Sequence, residues 1–191
     1  MARPPKPKPP HKMMIALNSL RNTTISVADN KFYYEVVTRY WHPNTTRIIK
    51  HDFETRELEP LAEIEGIRTK EPRVRFVNGE KNEWMSAADF VKLDQDKVGG
   101  TFSTDAGVDF RWKIHKGQLQ LIRADDAEEK PLVTFHPHRR HFWVFRMSKH
   151  AYLEIKPEPE VIEALDRLVV SYLLVERQRR NKSIKVVRYV S

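Results

Sequence analysis

VIEALDRLVVSYLLV, residues 161–175, is the stretch on which the fold turns. Eleven of its fifteen residues are apolar, and from Leu168 to Val175 only Ser171 is not. Wound as a helix, this second half is apolar on nearly every face, the pattern of a helix buried all round rather than along one stripe. Pro157 and Pro159 introduce it, Glu158, Glu160 and Glu163 fill its first turns, and Arg177, Arg179 and Arg180 its last. Acid at the start and base at the end both complement the helix dipole. The spacing predicts a helix over about 158–180. Fifteen helical residues rise about 22 Å, short of a hydrocarbon core of roughly 30 Å. Glu163, Asp166 and Arg167 also fall inside the stretch. The expectation is a buried helix and no transmembrane segment.

Upstream, the pattern is of strands. MMIALNSL (13–20), TTISV (23–27), KFYYEVVTRY (31–40) and TTRIIKHDF (45–53) are dense in aromatic and β-branched residues and are separated by turn formers. LEPLAEIEGI (58–67) is ambiguous, because Leu61 falls on the opposite strand face from Ala62 and Ile64. VRFV (74–77) and KNEWM (81–85) flank Asn78-Gly79, the signature of a two-residue hairpin turn. Ser86-Ala-Ala-Asp89 reads as a capping box opening a short helix near 86–93. TFST (101–104), VDFRWKIH (108–115), QLQLIRA (118–124), LVTFH (132–136), HFWVFRM (141–147) and AYLEI (151–155) follow. Alternation in VDFRWKIH puts Val108, Phe110, Trp112 and Ile114 on one face and charged residues on the other, as in a half-buried antiparallel sheet. SIKVVRYV (183–190) alternates again and suggests a final strand. About twelve strands before one helix apolar nearly all round predict a mainly β fold, a closed antiparallel β-barrel with the helix in its bore.

Composition sets the outer limits. A chain of 191 residues with 40% apolar and 31% charged content forms one domain with a proper core, here 13–191. The absence of cysteine excludes disulfides, thiolate metal sites and cysteine nucleophiles. Of the net charge of +8, residues 1–12 carry +4, residues 177–191 carry +6, and the intervening body −2. Basic ends on a near-neutral body attract anionic membrane, nucleic acid or an acidic partner; solubility is the plainer use. Residues 1–12 hold five prolines and form a disordered, extended, basic tail that packs no core. Pro7, Pro10 and Lys12 fit PxxPxK, a protein-docking pattern. MARPPKPKPPHK has no apolar leader segment, so the expected home is cytoplasmic, with a peripheral-membrane or nuclear location as alternatives.

The order of parts resembles a fungal family of uncharacterised domains in the tubby C-terminal-like superfamily, with tubby, LURP-one-related proteins and phospholipid scramblases as relatives. The resemblance is carried by NTTISV (22–27), FYYEVVT (32–38), TRIIKHD (46–52) and LAEIE (61–65). GVDFRWKIHKGQLQLI (107–122), LVTFH, AYLEI and LDRLVVSYLLVERQRR (165–180) extend it over about 13–181. It implies a closed barrel around a central hydrophobic helix. It also implies phosphoinositide binding if the chain behaves like tubby, or membrane-lipid association if it behaves like the scramblases. Neither tubby's phosphate-binding residues nor the scramblases' cysteine-rich and calcium-binding segments have matching positions here.

Two clusters could carry chemistry. HPHRRHFWVFRMSKH (136–150) combines four histidines, four basic residues and three aromatics. Arg139, Arg140 and Lys149 suit an anion, since guanidinium forks match phosphate. His136, His138 and His141 could hold a divalent metal, although the adjacent arginines repel a cation. A solvated basic hairpin tip is the plain alternative, and core packing is the plain alternative for Phe142, Trp143 and Phe145. RQRRNK (177–182) places Arg177, Arg179, Arg180 and Lys182 at the helix exit, as a phosphate clamp, an import signal or a solvated helix end. No glycine-rich phosphate loop, HExxH, GxSxG or DxDxDG pattern occurs. The expectation is a non-catalytic module without cofactors that binds anionic phospholipid head groups at a membrane surface. A protein-interaction or structural module using the proline-rich tail and a nucleic-acid binder stand as alternatives.

Overall fold

The fold is described from a computed structural model for residues 11–27, 32–77, 82–138 and 149–188, with side chains in the last helix to Lys182. Seven strands come first: β1 (His11–Ile15), β2 (Thr23–Val27), β3 (Phe32–Thr38), β4 (Thr45–Asp52), β5 (Leu58–Glu65), β6 (Arg73–Phe76) and β7 (Met85–Ser86). A one-turn helix α1 (Ala87–Phe90) separates them from β8 (Lys92–Leu93), β9 (Gly99–Ser103), β10 (Asp109–His115), β11 (Gln118–Arg123), β12 (Val133–His136) and β13 (Ala151–Ile155). Helices α2 (Pro159–Glu163) and α3 (Leu165–Arg188) end the described chain.

All thirteen strands form one antiparallel sheet in the order β7-β6-β5-β4-β3-β2-β1-β13-β12-β11-β10-β9-β8. Two meanders are joined where β1 pairs with β13, Met13 facing Leu153. The sheet wraps α3, in which every residue from Leu168 to Glu176 is buried. Helix side chains meet β3 through Tyr34, β10 through Trp112 and β12 through Phe135. The expected central hydrophobic helix is therefore present.

The ladder is not closed, which corrects the expected closed barrel. β7 and β8 are its two free edges, and α1 stands between them. Each edge strand has two residues, and a helical turn spaces them, so they exchange no ladder hydrogen bonds. Aromatic packing bridges this seam instead. Phe90 of α1 lies 5.0 Å from Phe76 of β6 and 6.1 Å from Phe102 of β9, ring centre to ring centre. Gly100 lets β8 approach β9: a Cβ there would lie 2.9 Å from a Val91 methyl and 3.0 Å from the Lys92 carbonyl oxygen.

Local departures have local causes. The ambiguity at Leu61 and Ala62 is resolved by a bulge, since Ile48 pairs with Ala62 but Ile49 with Pro60. Leu61 is the extra residue, so Leu61 and Ala62 both turn inward. In β10, Phe110 and Trp112 are buried as expected, but Ile114 at the strand end is exposed. A two-residue turn at Asn78-Gly79 would set Val74 opposite Glu83; Val74 instead faces Met85, and residues 78–81 lie outside those described. The short helix near 86–93 is only α1, with the Ser86 hydroxyl accepting from the Ala88 N–H at 3.2 Å. The suggested final strand over 183–190 is helical through Arg188. No glycine or proline stops α3 there, and a strand would need a longer free edge than the two residues that β7 and β8 each present. The expected strand 141–147 lies outside the described residues. No described helix is long and apolar enough to cross a membrane.

Candidate functional site

Antiparallel pairing alternates the ends at which turns lie. Turns 16–22, 39–44, 66–72, 94–98 and 116–117 gather at the end where α3 exits, together with residues 137 and 138. Contacts from α3 fix this: Arg177 donates to the Thr69 carbonyl, Arg180 to Asn18 Oδ1 at 2.6 Å, and Lys182 to the carbonyls of Gln95 and Lys97 at 2.9 and 2.7 Å.

These contacts give most of the expected anion site at the helix exit a structural task. Arg179 and Arg180 both donate to Glu176, at 2.6 and 2.8 Å, and Glu176 is fully buried. Hydrogen bonding to Glu176 raises the Arg179 pKa, whereas burial lowers that of Arg177. Lys149 is exposed beside the β12–β13 connection. Arg139 and Arg140 lie outside the described residues. Of the metal candidates, His136 Nε2 lies 3.0 Å from Glu154 and its ring stacks on Tyr152 at 4.4 Å. The His138 ring sits 6.3 Å from that of His150, and His141 is outside the described residues. No group of three metal-ligating side chains occurs among the described residues.

A concavity among the described residues lies elsewhere, on the outer face of β3 to β6. Pairing sets Val37 opposite Arg47, Arg47 opposite Glu63, and Glu63 opposite Arg75, in one row across four strands. Trp84, just before β7, continues the row. These side chains, with Arg39, His42 and Thr45, line a cleft of about 240 Å3. Glu63 takes Arg47 Nε at 3.0 Å on one oxygen and an Arg75 terminal nitrogen at 2.5 Å on the other. The Arg75 guanidinium stacks 4.8 Å from the Trp84 ring centre, with Arg73 at 5.4 Å.

Two arginines thus share one carboxylate and Arg39 lines the same cleft, leaving it with a formal excess of two positive charges. Arg75 Nε is buried and has no hydrogen-bond partner among the described residues. Arg39 makes no ion pair among them and rests 5.6 Å from the Trp41 ring centre. Such an arrangement can hold a compact anion through guanidinium forks, with Trp84 as an apolar wall. Sequence reading missed it. Arg47 lies between buried Thr46 and Ile48, and Arg75 between buried Val74 and partly buried Phe76, so both point outward, a signal visible in TRI and VRF. Their convergence depends on cross-strand register, which the sequence did not specify.

A family of unknown function, DUF6593, has a sequence model that matches residues 18–181. The chain belongs to this family. The match spans β2 through the buried part of α3, so the DUF6593 region contains the wrapped helix and the arginine cleft. Neither a curated protein nor a solved structure matches the chain.

Proposed function

We propose that the chain is a non-catalytic module that binds anionic phospholipid head groups at a membrane surface, with a head-group phosphate seated in the β3–β6 cleft. The observation that carries this reading is the cleft's uncompensated charge: Arg39, Arg47 and Arg75 against Glu63 alone. A phosphate there would accept from the Arg39 guanidinium and the terminal nitrogens of half-exposed Arg47, which make no ion pair among the described residues beyond Arg47 Nε to Glu63. The tubby-like pattern of the sequence supports the same direction. Nearby Arg177, Arg180 and Lys182 serve chiefly to tie α3 to the turns, adding positive field more than direct contacts.

The test is co-sedimentation of the full chain with phosphatidylcholine vesicles, with and without phosphoinositide, beside titration calorimetry with a soluble inositol phosphate. Arg47→Gln and Arg75→Gln together should weaken both bindings at least tenfold. Equal sedimentation with both vesicle types, or binding indifferent to the double substitution, would overturn the reading. Preferential retention on RNA would replace it with the nucleic-acid alternative.

A further inference from the structure

The cleft opens beside the β3–β4 turn, Arg39-Tyr40-Trp41-His42-Pro43-Asn44, which carries the two most exposed large apolar side chains described. Tyr40 is 94% and Trp41 67% exposed. The turn is firmly built. The His42 N–H donates to the Arg39 carbonyl at 3.1 Å, and the Thr45 N–H to the His42 carbonyl at 3.2 Å, two successive turns with Pro43 where its fixed φ suits. Arg21 from the β1–β2 turn donates to the Pro43 carbonyl at 2.7 Å, and the Gly66 N–H from the β5–β6 turn to that of Asn44 at 2.8 Å. A tip braced from both sides yet leaving two aromatic rings in water is shaped by something other than the core.

Charge indicates the occupant. At this end of the sheet, turns 16–22, 39–44, 66–72, 94–98 and 116–117 hold six lysines and arginines against three carboxylates. Residues 177–182 of α3 add four more cations. At the opposite end, segments 53–57, 104–108, 124–132 and 156–163 hold ten carboxylates against three cations. The molecule is therefore polarised along α3, with its exposed aromatic pair on the positive pole. Tyrosine and tryptophan have an apolar body and a polar edge that suit the head-group layer, and an anionic leaflet attracts the cations beside them.

We propose that the β3–β4 tip is a bilayer-inserting wedge. Tyr40 and Trp41 enter the interface of an anionic membrane while the positive end faces it, which presents the Arg39–Arg47–Arg75 cleft to the head groups. This rests on the lipid-binding reading above and deepens it by naming the inserting element and the orientation.

The experiment uses the full chain and phosphoinositide-containing vesicles doped with phosphatidylcholine brominated near the top of its acyl chains. Wild-type tryptophan emission should be quenched, and Trp41→Phe should remove the quenched component, since it keeps a ring but loses the reporter. Tyr40→Ser with Trp41→Ser should lower vesicle partitioning about tenfold or more, from the apolar area withheld from the membrane. Both positions are exposed, so circular dichroism should be unchanged, and soluble inositol phosphate should bind as in the wild type. Quenching that persists in Trp41→Phe, or unchanged partitioning of the double variant, overturns the wedge while leaving the cleft reading standing. Failure of the wild type to bind either vesicles or inositol phosphate overturns both.

Discussion

The indole N–H of Trp112 donates to the hydroxyl of Ser171 at 2.9 Å, and that hydroxyl donates in turn to the Leu168 carbonyl at 2.9 Å. Strand β10 and helix α3 are thereby joined by a short polar chain inside an apolar core, and both side chains are fully buried. Such a bond contributes modestly when made, but a buried donor left without a partner costs about 1–3 kcal/mol. Ser171→Ala should lower the unfolding free energy by that amount in urea titration. In a Trp112→Phe background the same change should cost measurably less, and equal costs in both backgrounds would argue against the bond.

Leu168→Asp and Leu173→Asp should each prevent soluble folding. Both positions are buried in the core on different sides of α3, where a carboxylate would be cut off from water. Solubility and circular dichroism decide, and native-like spectra for both would mean the sheet does not enclose the helix.

Glu176 is fully buried and its two counter-charges both come from α3 itself. Removing them together, by Arg179→Met with Arg180→Met, leaves a carboxylate without a partner in the core. Loss of about 3–5 kcal/mol is expected, as for other broken buried pairs. Stability equal to wild type would show that water reaches the carboxylate.

Alkaline stability should be limited by two tyrosines. Burial, then Asp166, pushes the Tyr34 phenol far above its usual range, and burial, then Glu176, does the same for Tyr172. In the unfolded chain both ionise near pH 10. The folded-state pKa is the higher one, so this contribution is complete below about pH 10 and is lost as pH rises beyond it. A spectrophotometric titration should show a late phase, from Tyr34 and Tyr172, that coincides with unfolding. A single phase near pH 10 with the fold intact would contradict the burial of both phenols.

Periodicity carried most of the fold and little of the candidate site. Strand positions and the buried helix were legible because alternation and all-round apolarity are properties of single segments, as in VDFRWKIH and VIEALDRLVVSYLLV. Closure was not legible, because whether β7 meets β8 depends on how α1 spaces them rather than on either strand's residues. The last segment misled for a related reason. Alternation in SIKVV fits a strand, but continuing an existing helix adds one bond per residue fixed, whereas a strand needs an edge. The arginine cleft demanded more still, since Arg47 and Arg75 are 28 positions apart and meet only through Glu63. Basic runs such as RQRRNK are conspicuous in sequence and are largely consumed by the fold.

The seam between β7 and β8 also bears on how the molecule assembles. The enclosed helix is synthesised after every strand that surrounds it, so a ring sealed by ladder hydrogen bonds would have to be threaded or broken to admit it. The chain itself crosses this seam through α1, where Phe76, Phe90 and Phe102 pack, so the two meanders can fold around α3 like a book hinged there, and β1 can pair with β13 last. Amide exchange should then be fastest at β7, α1 and β8, the short edges at that hinge, and slower in the longer strands β3, β4 and β10.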